Sequence, residues 1–294
     1  MSHQIEPRHN AYLAATNRFA SRVSAALVGL LVLTFSAASH ALEPADLFRR
    51  PASVSGQTVD HQAWDRLLKT YVKAGDDGIN RVDYAAFKRS GQAELKSYLG
   101  RLQTVVPGKL DKSEQFAFLV NLYNAKTIDV VLDHYPVRSI RDIALGGGLI
   151  AAFTGGPWKA KLLKLGGIDI SLDDIEHGIL RTLFKDPRVH YAVNCASLGC
   201  PNLRPEAFTS ATLNAQLEDS ARAFVNHPRG VSATAGKVVV SSIYHWFNTD
   251  FGGNDEGVLR HLRMYASPAL EAKLKRIATI DDHAYDWSLN DARR

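Results

Sequence analysis

The sequence predicts an α+β fold: a single, mostly helical domain packed on a small, mainly antiparallel sheet. Three observations lead to this class. Several long segments repeat apolar residues at helical spacing, shorter segments carry strand or hairpin signals, and no repeat or linker divides the 294 residues. The contents of 46% hydrophobic and 22% charged residues are typical of an ordinary globular protein.

The N-terminal segment has the pattern of a secretory signal peptide. Three arginines precede an apolar run over residues 25–35, and the small residues Ser39 and Ala41 fit cleavage after Ala41. The apolar run is shorter than the about 20 residues that span a membrane, so we expect no membrane span after cleavage. We therefore expect residues 1–41 to be removed and the protein to be periplasmic or secreted.

The mature chain is expected to have a leader over residues 42–60 and one globular domain over residues 61–294. Loss of three arginines and one glutamate with the signal peptide lowers the formal net charge from +5 to +3. Because the sequence has no Lys/Arg block and no basic stripe interleaved with aromatic residues, nucleic acid is not an expected partner. The expected partner is a small-molecule, peptide or envelope ligand of unknown identity.

The first half of the domain is predicted to be helical, over residues 64–72, 84–102 and 111–134. The polar residues of the third helix fall on one narrow stripe, so this helix should be buried on most sides. Asn121 and Asn124 lie on its buried part. Such amides need hydrogen-bond partners, and they either hold the backbone of a neighbouring loop or line a site.

A hairpin is predicted over residues 161–170, after a glycine-rich loop or lid over residues 146–158. The next helix, residues 172–184, carries Glu176 near the centre of its apolar face. A carboxylate buried in this way must meet a cation, an imidazole or several N–H donors. Glu176 is therefore a candidate site residue.

Residues 188–194 alternate in a pattern that predicts a strand, with His190 and Asn194 on the same face. A helix over residues 211–225 and a strand over residues 237–242 complete the second half of the domain.

The only two cysteines, Cys195 and Cys200, share one short loop with Ser197. Export and the even count favour a disulfide that fixes the shape of this loop. The alternative is a reactive thiol beside His190. His245, further along the chain, is a candidate to reach the same site. No metal-ligand spacing is present, and we expect neither a metal nor a cofactor.

Ordered motifs across about residues 80–255 resemble the domain of unknown function 547 family. The motifs are Asn121-Leu-Tyr-Asn124, Ser171-Leu-Asp-Asp-Ile-Glu-His177, Asp186-Pro-Arg-Val-His190, Asn194-Cys195 with Cys200-Pro201, and His245-Trp-Phe with Asp250-Phe-Gly. The resemblance implies that Asn124, Glu176, His190 and Cys195 belong to one group of site residues. It implies no activity, cofactor or partner.

Two functions remain open, besides a redox role for Cys195 and Cys200 that ranks last because their C-x-x-x-x-C spacing differs from the usual C-x-x-C. The favoured one is a periplasmic binding or structural module with a Glu176–His190 site beneath the cysteine loop. The alternative is a thiol-type hydrolase or acyl transferase, in which Cys195 attacks as a thiolate and His190 takes its proton. Glu176 would then hold the imidazole, and Asn121 or Asn124 would donate to a developing oxyanion.

Overall fold

The computed structural model describes residues 42–53, 57–145, 156–234 and 236–293. The predicted signal peptide and most of the predicted glycine-rich loop lie outside the described residues. The α+β class is confirmed, with about half of the chain in helices. Within the described ranges, no helix is both long enough and apolar enough to cross a membrane.

Helices alternate with short strands along the chain, and a strand follows the last helix. The helices are α1 (Gln62–Tyr71), α2 (Tyr84–Ser90), α3 (Gln92–Leu102), α4 (Lys112–His134), α5 (Asp174–Phe184), α6 (Val189–Ala192), α7 (Leu213–Val225), α8 (Ser242–Trp246), α9 (Asp255–Tyr265) and α10 (Pro268–Leu274). Among them, α5 is wound as a π-helix. The strands are β1 (Val72–Ala74), β2 (Asn80–Val82), β3 (Leu163–Leu165), β4 (Ile168–Ile170), β5 (Val231–Thr234), β6 (Lys237–Ser241) and β7 (Asp282–Ala284).

Helix α4 is the buried helix that the sequence predicts, and it packs against α2, α3 and α5. It begins after Asp111, whose carboxylate accepts a hydrogen bond from the Glu114 N–H at 2.9 Å. Part of its polar stripe is covered as well. Asp129 on this stripe is only 2% exposed and pairs with Lys96 and Lys126 at 2.8 Å each. The helix therefore lies inside the molecule, where it can support the segments around it.

The single helix predicted over residues 84–102 is wrong: the chain forms α2 and α3, which are separated at Gly91. A Cβ atom at Gly91 would lie 2.6 Å from the Tyr71 ring and 2.8 Å from the Phe87 ring. Only a glycine fits against these two rings, and this close contact coincides with the end of α2.

The strand predicted over residues 188–194 is also wrong, because residues Val189–Ala192 form the short helix α6. Asp186 accepts a hydrogen bond from the Arg188 N–H at 2.9 Å, and the His190 N–H donates to the Pro187 carbonyl at 3.2 Å. These contacts start a helical turn directly after the proline. All four residues of α6 are buried, so the apparent alternation did not separate two faces.

The strands form three small sheets within the described residues, where one was expected. The predicted hairpin is confirmed as β3–β4, which turns at Gly166 and Gly167 with φ of 54° and 85°. The predicted strand at residues 237–242 is confirmed as β6. It pairs with β5 in antiparallel fashion and with β7 in parallel fashion.

The C-terminal segment covers the cysteine loop. The Leu198 N–H donates to the Ser288 carbonyl and the Gly199 N–H to the Asp286 carbonyl, both at 2.8 Å. These bonds bring residues 285–287 against the loop, and they determine which side chains line the site.

Candidate functional site

A pocket of about 260 Å³ opens between α5, the cysteine loop, α8 and the C-terminal segment. One side of this pocket, called the aromatic wall below, consists of Trp158, Trp246, Tyr285 and Trp287. The rings of Tyr285 and Trp287 lie 4.6 Å apart between centroids, and those of Trp246 and Trp287 lie 5.6 Å apart. Trp246 is 44% exposed and stands at the mouth of the pocket.

Glu176 lies on the floor of the pocket, turned inward as its position on the helix predicts. It is 8% exposed and lies near Tyr123, where burial raises the pKa of the tyrosine hydroxyl and the negative charge of Glu176 adds to this effect. One carboxylate oxygen, Oε1, lies 3.9 Å from Nδ1 of His190. The predicted pairing of Glu176 with His190 is therefore a close contact, but this distance is longer than a hydrogen bond.

His190 is held by Asp250, a residue that the sequence analysis did not select. Nε2 of His190 lies 2.7 Å from Oδ2 of Asp250, and the imidazole stacks on Phe247 with 4.3 Å between ring centroids. Asp250 also accepts hydrogen bonds from Nε and Nη2 of Arg181, at 2.5 and 3.0 Å. The imidazole is thus oriented by a carboxylate, while Nδ1 faces Glu176 and the pocket.

The charge of Asp250 is fixed by these partners. Burial alone would raise the pKa of this carboxyl, but the hydrogen bonds from His190 and Arg181 outweigh burial and hold the pKa well below its usual range. Asp250 is therefore a carboxylate at neutral pH. A signal for Asp250 was present, since it belongs to the last of the family-like motifs. Arg181 had no such signal.

The predicted disulfide between Cys195 and Cys200 is not formed in the structure, where both cysteines are free. The two cysteine side chains nevertheless approach to 2.6 Å, compared with about 2.05 Å in a disulfide. The Tyr285 hydroxyl lies 3.0 Å from each sulfur, and the Cys195 N–H donates to the Cys200 sulfur at 3.1 Å. Each sulfur thus has the Tyr285 hydroxyl as a neighbour within hydrogen-bond distance, and no covalent bond joins the two.

Asn121 and Asn124 hold neighbouring backbone, which is the first of the two roles that the sequence left open. Asn121 exchanges two hydrogen bonds with the backbone of Phe208, at 2.8 and 3.0 Å. Asn124 donates to the Ala192 carbonyl at 2.9 Å and accepts from the Asn194 N–H at 2.8 Å. Neither amide belongs to the lining of the pocket as the described residues define it.

The other predicted site residues lie at different distances from the pocket. Asn194 is buried and shapes the cysteine loop, because its side chain donates to the Pro201 carbonyl at 2.7 Å. Ser197 is buried and reaches the site through Tyr285, with 2.8 Å between the two hydroxyl oxygens. His245 does not reach the site: it is exposed and stacks on His283 with 4.1 Å between centroids.

The rim of the pocket is charged. Asp173 and His177 lie next to Glu176, and Lys159 lines the same opening. Burial raises the pKa of Asp173, and the nearby negative charge of Glu176 adds to this effect. In the part of the chain that the structure describes, no group of three His, Cys, Asp or Glu side chains has a metal-binding arrangement.

The comparisons with known proteins bear on the same segment. Glu176, His190 and both cysteines lie within residues 107–225, whereas Asp250 and Tyr285 follow that range. Searches of curated proteins and of solved structures each gave no match. Residues 107–225 match the family model described as "Protein of unknown function, DUF547", so the predicted resemblance to this family is confirmed over that segment of the chain.

Proposed function

We propose that the chain is an exported binding protein whose pocket holds a small ligand, or the end of a peptide or envelope component. The observation that carries the proposal is the combination of an aromatic wall with a buried polar floor in one pocket. Pockets that bind small ligands are mostly apolar and carry a few precisely placed polar groups.

The pocket indicates the chemistry of the ligand. A flat or apolar part would pack on Trp246 and Trp287 of the aromatic wall. A hydrogen-bond donor or a positive charge would meet Glu176, whose carboxylate faces the pocket next to Nδ1 of His190. The Arg181–Asp250 pair would keep the imidazole in place while the ligand binds.

Tryptophan fluorescence tests this proposal. Three of the four tryptophans line the pocket, and Trp64 is buried elsewhere, so a W64F variant reports on the pocket alone. We expect compounds with an aromatic or sugar ring and an amine or hydroxyl group to change this emission saturably. E176Q should weaken binding about tenfold or more, because a hydrogen bond to a charged group is lost.

The matched control is E256Q, because the Glu256 side chain is 80% exposed. This variant should bind as the unmodified protein does. Equal affinity of E176Q and E256Q, or a lack of any saturable ligand in a broad collection of such compounds, would contradict the proposal.

A thiol-type hydrolase or acyl transferase is the second candidate, because Cys195 lines the same pocket as His190 and Glu176. Against it, the two ring nitrogens of His190 face Asp250 and Glu176. Hydrolysis of activated acyl esters separates the two candidates. Turnover that C195S abolishes, and that C200S retains, would favour the thiol enzyme.

A further inference from the structure

The two cysteines have unequal surroundings. Cys195 is partly buried, whereas Cys200 is 3% exposed, and both line the pocket. The Cys200 sulfur accepts a hydrogen bond from the Cys195 N–H at 3.1 Å, and the Tyr285 hydroxyl lies 3.0 Å from both sulfurs. The hydroxyl of Ser197 supports Tyr285 at 2.8 Å. The Cys200 sulfur thus accepts a backbone N–H, a contact that stabilises a thiolate.

The titration of the pair agrees with this arrangement. Burial alone would raise the pKa of Cys200, but hydrogen bonds from Cys195, Tyr285 and Ser197 lower it to about 6. The hydrogen bond that Cys195 gives to Cys200, together with burial, raises the pKa of Cys195 well above its usual value. The two cysteines titrate as a coupled pair, and the lowered pKa belongs to Cys200, the sulfur that accepts the Cys195 N–H.

Charged groups on several sides face this pair. Arg229 lies beneath the loop, donating to the Leu198 carbonyl at 3.0 Å and to Oδ1 of Asn202 at 2.6 Å. Burial lowers the pKa of Arg229 to about 10, while the negative charge of Cys200 acts in the opposite direction. Glu176 and His190 face the pair across the pocket. Arg229 is thus the cation that balances a Cys200 thiolate from inside the molecule.

The backbone of the loop keeps the two side chains together. Ala196 has a φ of 58°, the left-handed conformation that costs a non-glycine residue about 1 kcal/mol. Asn194 holds it by accepting the Ala196 N–H at 2.9 Å, and the Asn290 N–H donates to the Ala196 carbonyl at 3.2 Å. A bond between the two sulfurs could form here with little movement of the loop.

We propose that Cys195 and Cys200 form a hydroperoxide-reactive dithiol, in which the Cys200 thiolate is oxidised first and Cys195 converts it to a disulfide. The proposal goes beyond ligand binding and does not depend on it. Hydroperoxides are the oxidant class that fits, because Cys200 lines the pocket but is only 3% exposed, so that only a small oxidant can reach its sulfur.

The chemistry balances in two steps. The Cys200 thiolate attacks the nearer peroxide oxygen, so that an S–O bond forms, the O–O bond breaks and hydroxide leaves when hydrogen peroxide is the oxidant. Cys195 then attacks the Cys200 sulfenic acid. The S–S bond forms, and the Cys195 proton leaves with the sulfenic oxygen as water. The two sulfurs lose two electrons in total, and the peroxide gains them. An external dithiol returns the pair to its reduced form.

The experiment uses hydrogen peroxide and the protein after reduction with dithiothreitol. We expect each peroxide molecule to consume two thiols and to give a protein whose mass is lower by two hydrogens. Dithiothreitol should restore both thiols. C195S should react at a similar rate and leave a sulfenic acid on Cys200 that dimedone traps. C200S should react about tenfold or more slowly, because Cys195 is protonated at neutral pH.

A third variant tests the positioning role of Tyr285. In Y285F the ultraviolet absorbance of the thiolate should appear at higher pH than in the unmodified protein, because Cys200 loses one donor. Equal peroxide rates for C200S and the unmodified protein would overturn the assignment of Cys200, and a rate equal to that of a free cysteine peptide would overturn the proposal. Sulfinic acid formed without a disulfide would also overturn it. Failure of ligand binding would leave these results unchanged.

Discussion

Asp250 connects the pocket to the rest of the molecule, because it joins the His190 imidazole to the Arg181 guanidinium. The carboxylate is 24% exposed and the guanidinium is 22% exposed, so water solvates neither group fully. The Arg181 guanidinium also lies over the Phe247 ring, 4.8 Å from its centroid. An unpaired charge at this place would therefore cost more than one on the surface.

We predict that D250N lowers the free energy of unfolding by about 2 kcal/mol, because it leaves Arg181 without its carboxylate partner. Urea denaturation at neutral pH measures this change. D169N is the matched control, since Asp169 pairs with Lys164 and both side chains are about 60% exposed. The control should change the free energy by less than about 0.5 kcal/mol. Equal effects of the two variants would show that the Asp250–Arg181 pair behaves as a surface pair.

The sequence predicted the inward position of Glu176 but not its surroundings. Helical spacing is local, so the position of one carboxylate on an apolar face can be derived from about two turns of sequence. The contact of His190 with Asp250 joins residues 60 positions apart, and that of Cys195 with Tyr285 joins residues 90 positions apart. No local sequence pattern encodes contacts between residues that lie so far apart along the chain, so only the fold reveals these partners.

Among the elements, α6 and the cysteine loop form the part of the fold that places the site, and α4 supports it. Asn124 of α4 bonds to the Ala192 carbonyl and to the Asn194 N–H, which lie between His190 and Cys195. Its amide therefore fixes the backbone on which both site residues stand. The strand prediction for residues 188–194 was wrong because all four residues of α6 are buried. Strand prediction depends on the contrast between a buried face and an exposed face, and complete burial removes this contrast.

We predict that N124A lowers the free energy of unfolding by about 2 kcal/mol or more, because one buried N–H and one buried carbonyl lose their partner. Urea denaturation again gives the value. N214A is the control, since Asn214 is exposed on α7 and accepts a hydrogen bond from the exposed end of the Arg188 side chain. N124A should also weaken ligand binding at the pocket, whereas N214A should not. A stable N124A protein would mean that water replaces the amide.

At the scale of the whole molecule, the helices were predicted better than the sheets. Long segments such as α4 and α7 contain enough residues for the helical repeat of apolar and polar positions to be recognised. The strands have three to five residues each and fall into three separate sheets, and β7 joins β6 from the far end of the chain. Strands of this length carry a weak pattern, which predicted β3, β4 and β6 but not β1, β2, β5 or β7. Pairing between distant segments depends on the packing of the whole chain.

Two buried histidines make the stability of the whole molecule depend on pH. His61 bonds to the Tyr98 hydroxyl at 2.6 Å, and His261 bonds to the Tyr191 hydroxyl at 2.8 Å. Burial lowers the pKa of each imidazole from 6.5 to about 4, although nearby aspartates oppose this shift in part. Both histidines are neutral in the folded protein at neutral pH.

We predict that the free energy of unfolding falls as the pH decreases from 6.5 to about 4. In this window the unfolded chain binds a proton at each histidine and the folded protein does not, so stability that is complete above pH 6.5 is lost by about pH 4. Each histidine contributes up to about 3 kcal/mol to this loss. Asp173 acts in the opposite direction, because its pKa is raised in the folded protein. Urea denaturation across this window gives the slope of the free energy of unfolding against pH, and this slope should be smaller for H61Q and for H261Q than for the unmodified protein.

The exposed His245 provides the control, and H245Q should keep the slope of the unmodified protein. An unchanged slope in both H61Q and H261Q would contradict the assignment of the pH dependence to these buried histidines.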